Sequence, residues 1–316
     1  MGALIGKKVA QLIAVLLVVT FFSFLLIHFL PGDPATTIIP LGSDVQRAQL
    51  RKDVGLDKPI AEQYGKWLRN FVRGDFGKYY RQFGGEPVSK RLKQAVPVSL
   101  QLLLYAEVLA LLIAIPIGIF AAYRAGTWVD RFLSTGAFAS LAIPDFVVAL
   151  VLIFYLGVRL KWFPVLGYVH IGTDPLEHFK SMFMPALSLA LAQAAVYMRL
   201  LRSDMIATLQ EDYILMARSQ GLPTWRILLR HALRPSSFSL LTVAGISVGT
   251  LIGGAVVIEA IFTLPGVGLM IFQAISERQY IALQACVALI GCGYVVVNFV
   301  VDLLYSVLDP RVRHAA

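Results

Sequence analysis

The sequence predicts an all-α membrane protein with six transmembrane helices, and three observations predict it. Of 316 residues, 58% are hydrophobic and 15% charged, where a soluble domain is about 45–50% apolar and about 25% charged. The excess lies in six long apolar runs, each near the roughly 20 residues that a helix needs to cross hydrocarbon. Lysine and arginine are distributed unequally over the loops between those runs, as expected of a chain threaded through a bilayer with a fixed orientation.

The first run covers 9–30 and follows Lys7 and Lys8. It exceeds the 7–15 residues of a signal-peptide core and has no small-residue cleavage site, so it reads as an uncleaved first helix. With the N-terminus it forms the first division, 1–30. A long polar segment, 31–97, comes next, carrying the turn clusters PGDP (31–34) and VGLDKP (54–59). In EQYGKWLRNFV, the apolar and aromatic residues Tyr64, Trp67, Leu68 and Phe71 recur at helical spacing and predict one apolar helix face. The remaining spans are 98–122, 132–158, 183–201, 237–258 and 282–308, within a core division of 98–316. The fourth is the shortest and carries Gln193.

An even number of spans places both termini on one side. With the N-terminus inside, twelve basic residues fall on inner segments and four (Arg159, Lys161, Lys180, Arg278) on short outer loops. Both ends are therefore expected in the cytoplasm. The other twelve lie in 31–97, which is then extracytoplasmic; a loop beyond about 60 residues translocates largely regardless of charge. The net charge of +9 follows from this bias, and no soluble basic domain is present to bind nucleic acid.

No catalytic constellation emerges. GISVG (245–249) matches the G-x-S-x-G pattern of hydrolases, but it lies inside the fifth apolar run rather than at a strand–turn–helix junction. Gly245, Gly249 and Gly253 recur every four residues and read as a smooth stripe for helix packing. Cys286 and Cys292 are six residues apart on different faces of the last span, which favours neither a disulfide nor a metal site. There is no H-E-x-x-H, no C-x-x-C and no G-x-x-x-x-G-K-[ST], so the chain has no P-loop for ATP; ATP and Mg would be bound by partner subunits. Three acids, Glu107, Asp145 and Asp302, fall within spans, where a charge costs about 2.5–3.5 kcal/mol on insertion scales. Asp145 follows Pro144 at the midpoint of the third span. Glu107 and Asp145 are candidates for the lining of a translocation path, the alternative for Asp145 being a local answer to the carbonyl that Pro144 frees.

Between the fourth and fifth spans lies a charged loop, 202–236. Ser203 is expected to cap a helix over 204–220, Gly221 to end it, Pro223 to block its continuation, and Thr224 to cap a second helix over 225–233. Ala217 and Gly221 stand four apart and predict a small-residue notch flanked by Tyr213 and Leu215, with Arg218, Arg226, Arg230 and His231 making the rest basic. A plain connector has no need of two capped helices, so the loop reads as a docking element for a cytoplasmic partner.

EDYILMARSQGL…LLRHALRP (211–235) resembles the EAA coupling loop of binding-protein-dependent ABC importer permeases, in the version found in peptide permeases. Of the Glu-Ala-Ala positions only Ala217 matches, Leu215 and Met216 occupying the other two; Gln220 and Pro235 replace the usual lysine and asparagine. HFLPGDPA (28–35), VGLDKP, RGDFG (73–77), EPVSKRL (86–92), PVSLQL (97–102), LPGVGLMIFQAISERQY (264–280) and VDLLYSVLDPRVR (301–313) are similar, in family order, to motifs of the first-permease type of dipeptide, oligopeptide and nickel permeases.

The resemblance implies a type I ABC importer permease fold in the cytoplasmic (inner) membrane of a prokaryote, and a chain that is not itself an enzyme. It implies assembly with a second homologous permease, two ATP-binding cassette ATPase subunits and an extracytoplasmic solute-binding protein. Tyr213, Ala217, Arg218, Gly221, Leu222, Arg230 and His231 are then the ATPase-coupling residues. The implied cargo is di- or oligopeptides, with nickel chelates, glutathione or oligosaccharides as alternatives carried by relatives. A secondary transporter is the rival from a different class. It would need coupling-ion sites and, usually, inverted repeats, and no repeat is apparent.

Overall fold

The computed structural model describes residues 2–29, 35–36, 42–55, 57–81 and 84–308. PGDP at 31–34, the Asp302 side chain and the part of VDLLYSVLDPRVR beyond Leu308 lie outside the described residues. Five helices are long and apolar enough to cross a bilayer, and a bent pair makes a sixth span if its two arms are counted as one. The chain forms two compact units, Met1–Ser99 with Pro265–Val300, and Leu100–Leu264 with Val301–Ala316.

In the first unit, α1 runs over Gly2–Leu25 and ends in a turn at 26–29, five residues short of the expected Leu30. Helices α2 (Asp44–Val54) and α3 (Ile60–Val72) follow. Ser43 and Gln46 form a complete capping box at the start of α2, and Gly55 closes it with φ 79°. The apolar face expected on α3 meets α1: Tyr64 packs on Phe21 and Phe24, Trp67 on Phe24, and Phe71 stacks on Trp67 at 5.1 Å. The polar atoms on this seam are matched as well, Thr20 bonding to the Tyr64 hydroxyl at 2.9 Å and His28 Nε2 to Gln63 at 3.1 Å.

Strands β1 (Lys78–Arg81) and β2 (Gly84–Pro87) make an antiparallel hairpin with Tyr79 opposite Glu86. Two four-residue strands are too short for a period-two pattern to stand out in the sequence. Tyr79 donates to Glu277 at 2.7 Å, and the Arg91 guanidinium lies 4.1 Å from the centre of its ring. Burial first, and then the Glu277 carboxylate, push the Tyr79 phenol up to about 12, so it remains a donor at any physiological pH. Helix α4 (Val88–Tyr123) starts ten residues before the expected span. Its first turns pack Val88, Leu92 and Ala95 against α11 (Val267–Ser276) and the start of α12 (Tyr280–Leu308). The Ser99 hydroxyl accepts the Val267 amide at 2.8 Å, satisfying one of the orphan N–H groups at a helix start.

The second unit is built around α7 (Pro175–Thr208), a 34-residue helix about 51 Å long. It overruns the expected 183–201 at both ends. Asp174 caps it through the amides of Leu176 and Glu177, and Pro175 stands at its first turn, where a missing N–H does no harm. Along α4, Ala110, Ala114, Gly118 and Ala122 recur every four residues. The three alanines are buried, and a Cβ on Gly118 would stand 3.2 Å from the Met198 carbonyl and the Leu201 side chain. These small side chains let α4 and α7 approach closely, which supplies the packing contact where lipid removes the hydrophobic drive between helices.

The third span is broken. Helix α5 (Trp128–Ala142) and helix α6 (Asp145–Leu152), the latter extended by a π segment over Ile153–Arg159, meet at 101°. Pro144 causes this: it forbids the α region to Ile143, which sits at φ −94°, ψ 122°. Asp145 therefore starts a helix instead of sitting at the middle of a continuous one. The fifth span begins with α9 (Thr224–Arg226), passes through a π segment at Ile227–Ala232 and continues as α10 (Leu233–Phe262).

Only part of the expected glycine stripe on α10 works as a stripe. A Cβ on Gly245 would press to 2.8 Å from Val301, and Gly249 is buried, but Gly253 has open space around it. The close contact at that end is made by Gly254 instead, whose Cβ would stand 3.0 Å from Leu189 and 3.1 Å from Asp145 Oδ2.

Candidate functional site

The element between α7 and α10 differs from its sequence expectation in three ways. Ser203 caps nothing, because α7 continues through it to Thr208. The short helix is α8 (Asp212–Ser219), with Glu211 at its N-cap. The second helix is not separate: residues 224–232 run straight into the fifth span, and no Thr224 side-chain bond caps them. Continuous helix was favoured because each join buries apolar side chains and leaves no polar break to solvate.

The turn after α8 is a Schellman motif. The Leu222 amide bonds to the Ala217 carbonyl at 3.3 Å and the Gly221 amide to the Arg218 carbonyl at 3.0 Å, with Gly221 at φ 76°. Leu222 packs on a small core of Ile214, Ala217 and Ile227, the apolar contact that accompanies this motif. Ala217 is 6% exposed, so it is a core residue and the expected Ala217–Gly221 notch does not exist. A bond of 3.1 Å between Thr208 and Ser236, the latter donating to Ala232 at 2.9 Å, ties the base of the element together.

Instead of a notch, the element exposes apolar and basic side chains. Tyr213, Leu215, Met216, Trp225 and Leu229 are all exposed, as are Arg218, Arg226 and Arg230, while His231 is half-buried. The Arg226 guanidinium sits 5.6 Å from the Trp225 ring. Partial burial raises the Tyr213 phenol above its ordinary range, so it too stays protonated.

Gly221 is required for its backbone alone, since nothing lies within 4 Å of a Cβ built there. Gly221→Leu is expected to strain the turn by about 1–2 kcal/mol and so to speed amide exchange over α8 by roughly five- to thirtyfold. Unchanged protection of the α8 amides would show that the left-handed turn carries no strain.

The two membrane carboxylates occupy different surroundings. Glu107, half-buried on α4, accepts the buried Tyr197 hydroxyl on both oxygens at 2.9 and 3.0 Å. Asp145, at the first position of α6, lies against Gly254 and has no side-chain hydrogen bond among the described residues. No hydrogen bond joins the two acids among those residues. Tyr197, which bonds Glu107, and Leu189, which packs on the Gly254 that Asp145 also meets, are eight residues apart, about 12 Å along α7.

A further pair went unnoticed in the sequence. Asp130, 3% exposed, holds Arg202 by two bonds, Oδ1 to Nε at 2.5 Å and Oδ2 to Nη2 at 2.7 Å, and accepts the Gly126 amide at 2.9 Å. The available signal was an acid one residue from Arg131 at the start of a span, but spacing alone did not single out its partner 72 residues away.

Ser247 of GISVG lies within α10, away from any strand–turn–helix junction. Among the described residues no group of three His, Cys, Asp or Glu could hold a metal ion.

Comparison with known proteins decides what this arrangement belongs to. Residues 114–314 match the family model "Binding-protein-dependent transport system inner membrane component", and residues 1–85 match the model of its N-terminal region. The chain belongs to this permease family. Full-length relatives agree. A chain of Brucella abortus (strain 2308) named as a peptide transport system permease protein is 39% identical over 99% of this permease and 100% of its own length. The oligopeptide transport system permease protein AppB of Bacillus subtilis (strain 168) is 36% identical over 99% and 100%. The glutathione transport system permease protein GsiC of Escherichia coli (strain K12) is 33% identical over 98% of each. A chain in an inward-facing structure of the MetNI methionine ABC transporter shares the fold, with TM-score 0.57 and 16% identity over 70% of this permease and 97% of that chain. The protein is thus a multi-pass membrane permease subunit of an ABC importer.

Proposed function

We propose that the permease carries di- or oligopeptides across the cytoplasmic membrane of a prokaryote, driven by ATP hydrolysed in separate subunits. It pairs with a second homologous permease, two ATPase subunits bind on the cytoplasmic side, and a solute-binding protein delivers cargo from outside. Both termini face the cytoplasm, consistent with the twelve-to-four lysine and arginine count over the short loops. The relatives named for peptide and oligopeptide transport, similar over their whole lengths, support the cargo class.

The observation that carries the ATPase assignment is the exposure, within one short element, of Tyr213, Met216, Trp225 and Leu229 together with Arg226 and Arg230. Exposed aromatic, methionine and arginine side chains gathered on a rigid base are what protein interfaces select. Closure of the ATPase dimer on ATP then moves α8, and through the Thr208–Ser236 bond the movement reaches α7 and α10, the helices beside Glu107 and Asp145. Those two carboxylates line the path.

The test is the double variant Met216→Glu/Leu229→Glu, which places two charges on that element and leaves the Ile214–Ala217–Ile227 core alone. ATP-dependent peptide uptake by the assembled complex is expected to fall at least about tenfold, from loss of a contact worth about 1.4 kcal/mol or more. Thermal stability of the permease should be unchanged. Full uptake by a variant present at normal membrane levels would remove the docking assignment.

A further inference from the structure

In the first unit a cavity of about 350 Å³ opens between the end of α1, the helices α2 and α3, the start of β1 and the first turn of α12. Lys52, Lys66 and Lys78 line it, and Asp75 is the one acid among the described lining residues. Lys52 and Lys78 have no acidic partner among the described residues. Asp75 Oδ1 accepts the Gly77 amide at 3.1 Å. The walls are aromatic and amide: Trp67, Phe76, Asn70 and Gln284. Gln284 Nε2 is fixed on the Phe24 carbonyl at 2.8 Å. The floor at Gly77 is held at φ 81°, where an added Cβ would stand 2.7 Å from Ile281. The site is therefore preformed.

Its depth is set by the two spans that bound it. Ile27 lies two residues beyond the end of α1, and Ile281 and Gln284 belong to the first turns of α12. The cavity thus stands where two transmembrane helices leave the hydrocarbon, whichever way the chain is oriented. Phe21, Phe24, Tyr64, Trp67, Phe71 and Phe76 form one connected chain of rings beside it, the kind of aromatic belt that marks the bilayer interface. A concave pocket at that depth with a net cationic lining suits a phosphodiester presented by a lipid, the lysines taking the phosphate and the rings the glycerol and upper acyl carbons.

We propose that this cavity is a binding site for the headgroup of an anionic phospholipid at the membrane edge. Such a lipid clamps α3 and the hairpin to the ends of the first and last spans. It distinguishes membranes rich in anionic lipid from zwitterionic ones, without involving the transported cargo.

The experiment uses the full chain with Trp67 as its only tryptophan (Trp128, Trp162 and Trp225→Phe) in phosphatidylcholine nanodiscs. Brominated phosphatidylglycerol is expected to quench Trp67 at a mole fraction at least about fivefold lower than brominated phosphatidylcholine requires. Lys52→Gln/Lys78→Gln should abolish that preference, each lysine near a membrane surface being worth about fivefold. Equal quenching by the two lipids overturns the proposal. So does loss of the preference when glycerol 1-phosphate is added at millimolar concentration, which would make the cavity a site for soluble phosphate. Native mass spectrometry of the unaltered chain gives the second reading. Phosphatidylglycerol should be retained above its bulk share and lost in the double lysine variant; retention at the bulk share overturns the proposal independently.

Discussion

Arg202→Met is expected to destabilise the permease by about 3–5 kcal/mol, because it strands a buried carboxylate. Asp130 is 3% exposed and held by both arms of the Arg202 guanidinium. With the arginine gone, the Gly126 amide at 2.9 Å and the Ser134 hydroxyl at 3.5 Å are what remain among the described residues to solvate it. The reverse change should cost less. Asp130→Asn keeps an acceptor for Gly126, and the Arg202 side chain, 28% exposed, can turn its charge to water; about 1–3 kcal/mol is expected. In thermal unfolding of the full chain in detergent, followed by circular dichroism, the arginine variant should melt roughly 10 °C below the parent and clearly below Asp130→Asn. If the two variants melt together, or the aspartate variant melts lower, the pair is no more than a surface contact.

The asymmetry of that pair also shows why part of the molecule could be read from sequence and part could not. Hydropathy located the five long apolar helices and the bent pair 128–159, because a bilayer demands about 20 apolar residues wherever the chain crosses. It could not locate helix ends, since nothing stops a helix at the edge of hydrocarbon. So α7 runs through Ser203, and α4 starts at Val88. Polarity drew the expected boundaries, but backbone hydrogen bonding draws the real ones. Gly221 was legible because a left-handed turn needs a specific residue type, whereas the Ala217 notch was misjudged because spacing does not reveal which face Ile227 covers.

Small-residue stripes illustrate the same limit. Gly245, Gly249 and Gly253 had the right period, yet Gly253 stands in open space, while Ala110, Ala114 and Ala122 are buried and Gly118 lies against Met198 and Leu201. Alanine is common enough in an apolar helix that its period drew no notice. Periodicity names the helices able to pack closely, and only the partner helix decides which of them do. Pro144 sits between these cases. The carbonyl it frees was legible but the break was not, because a 101° bend requires both arms to find partners, and those are set by α7 and α10.

Asp145→Asn is expected to reduce uptake of a cationic peptide about tenfold and uptake of a neutral peptide of the same length by less than about twofold. The break at Pro144 places this carboxylate on the first residue of α6, where the positive end of a helix favours an anion by a few tenths to 1 kcal/mol. No side-chain hydrogen bond among the described residues consumes it. Gly254 leaves its Oδ2 room that a methyl group would narrow to 3.1 Å. A peptide ammonium passing within about 4 Å gains from about 1 kcal/mol in bulk water to about 4 kcal/mol at an effective dielectric of 20, which brackets the tenfold effect. Glu107 is the internal control. Both its oxygens already accept the Tyr197 hydroxyl, so Glu107→Gln should discriminate less between the two peptides. Uptake of both peptides by the assembled complex, measured at saturating solute-binding protein, separates the outcomes. Equal losses for cationic and neutral cargo in Asp145→Asn would make the residue a helix-start acid that supports the bend at Pro144 and has no part in selection.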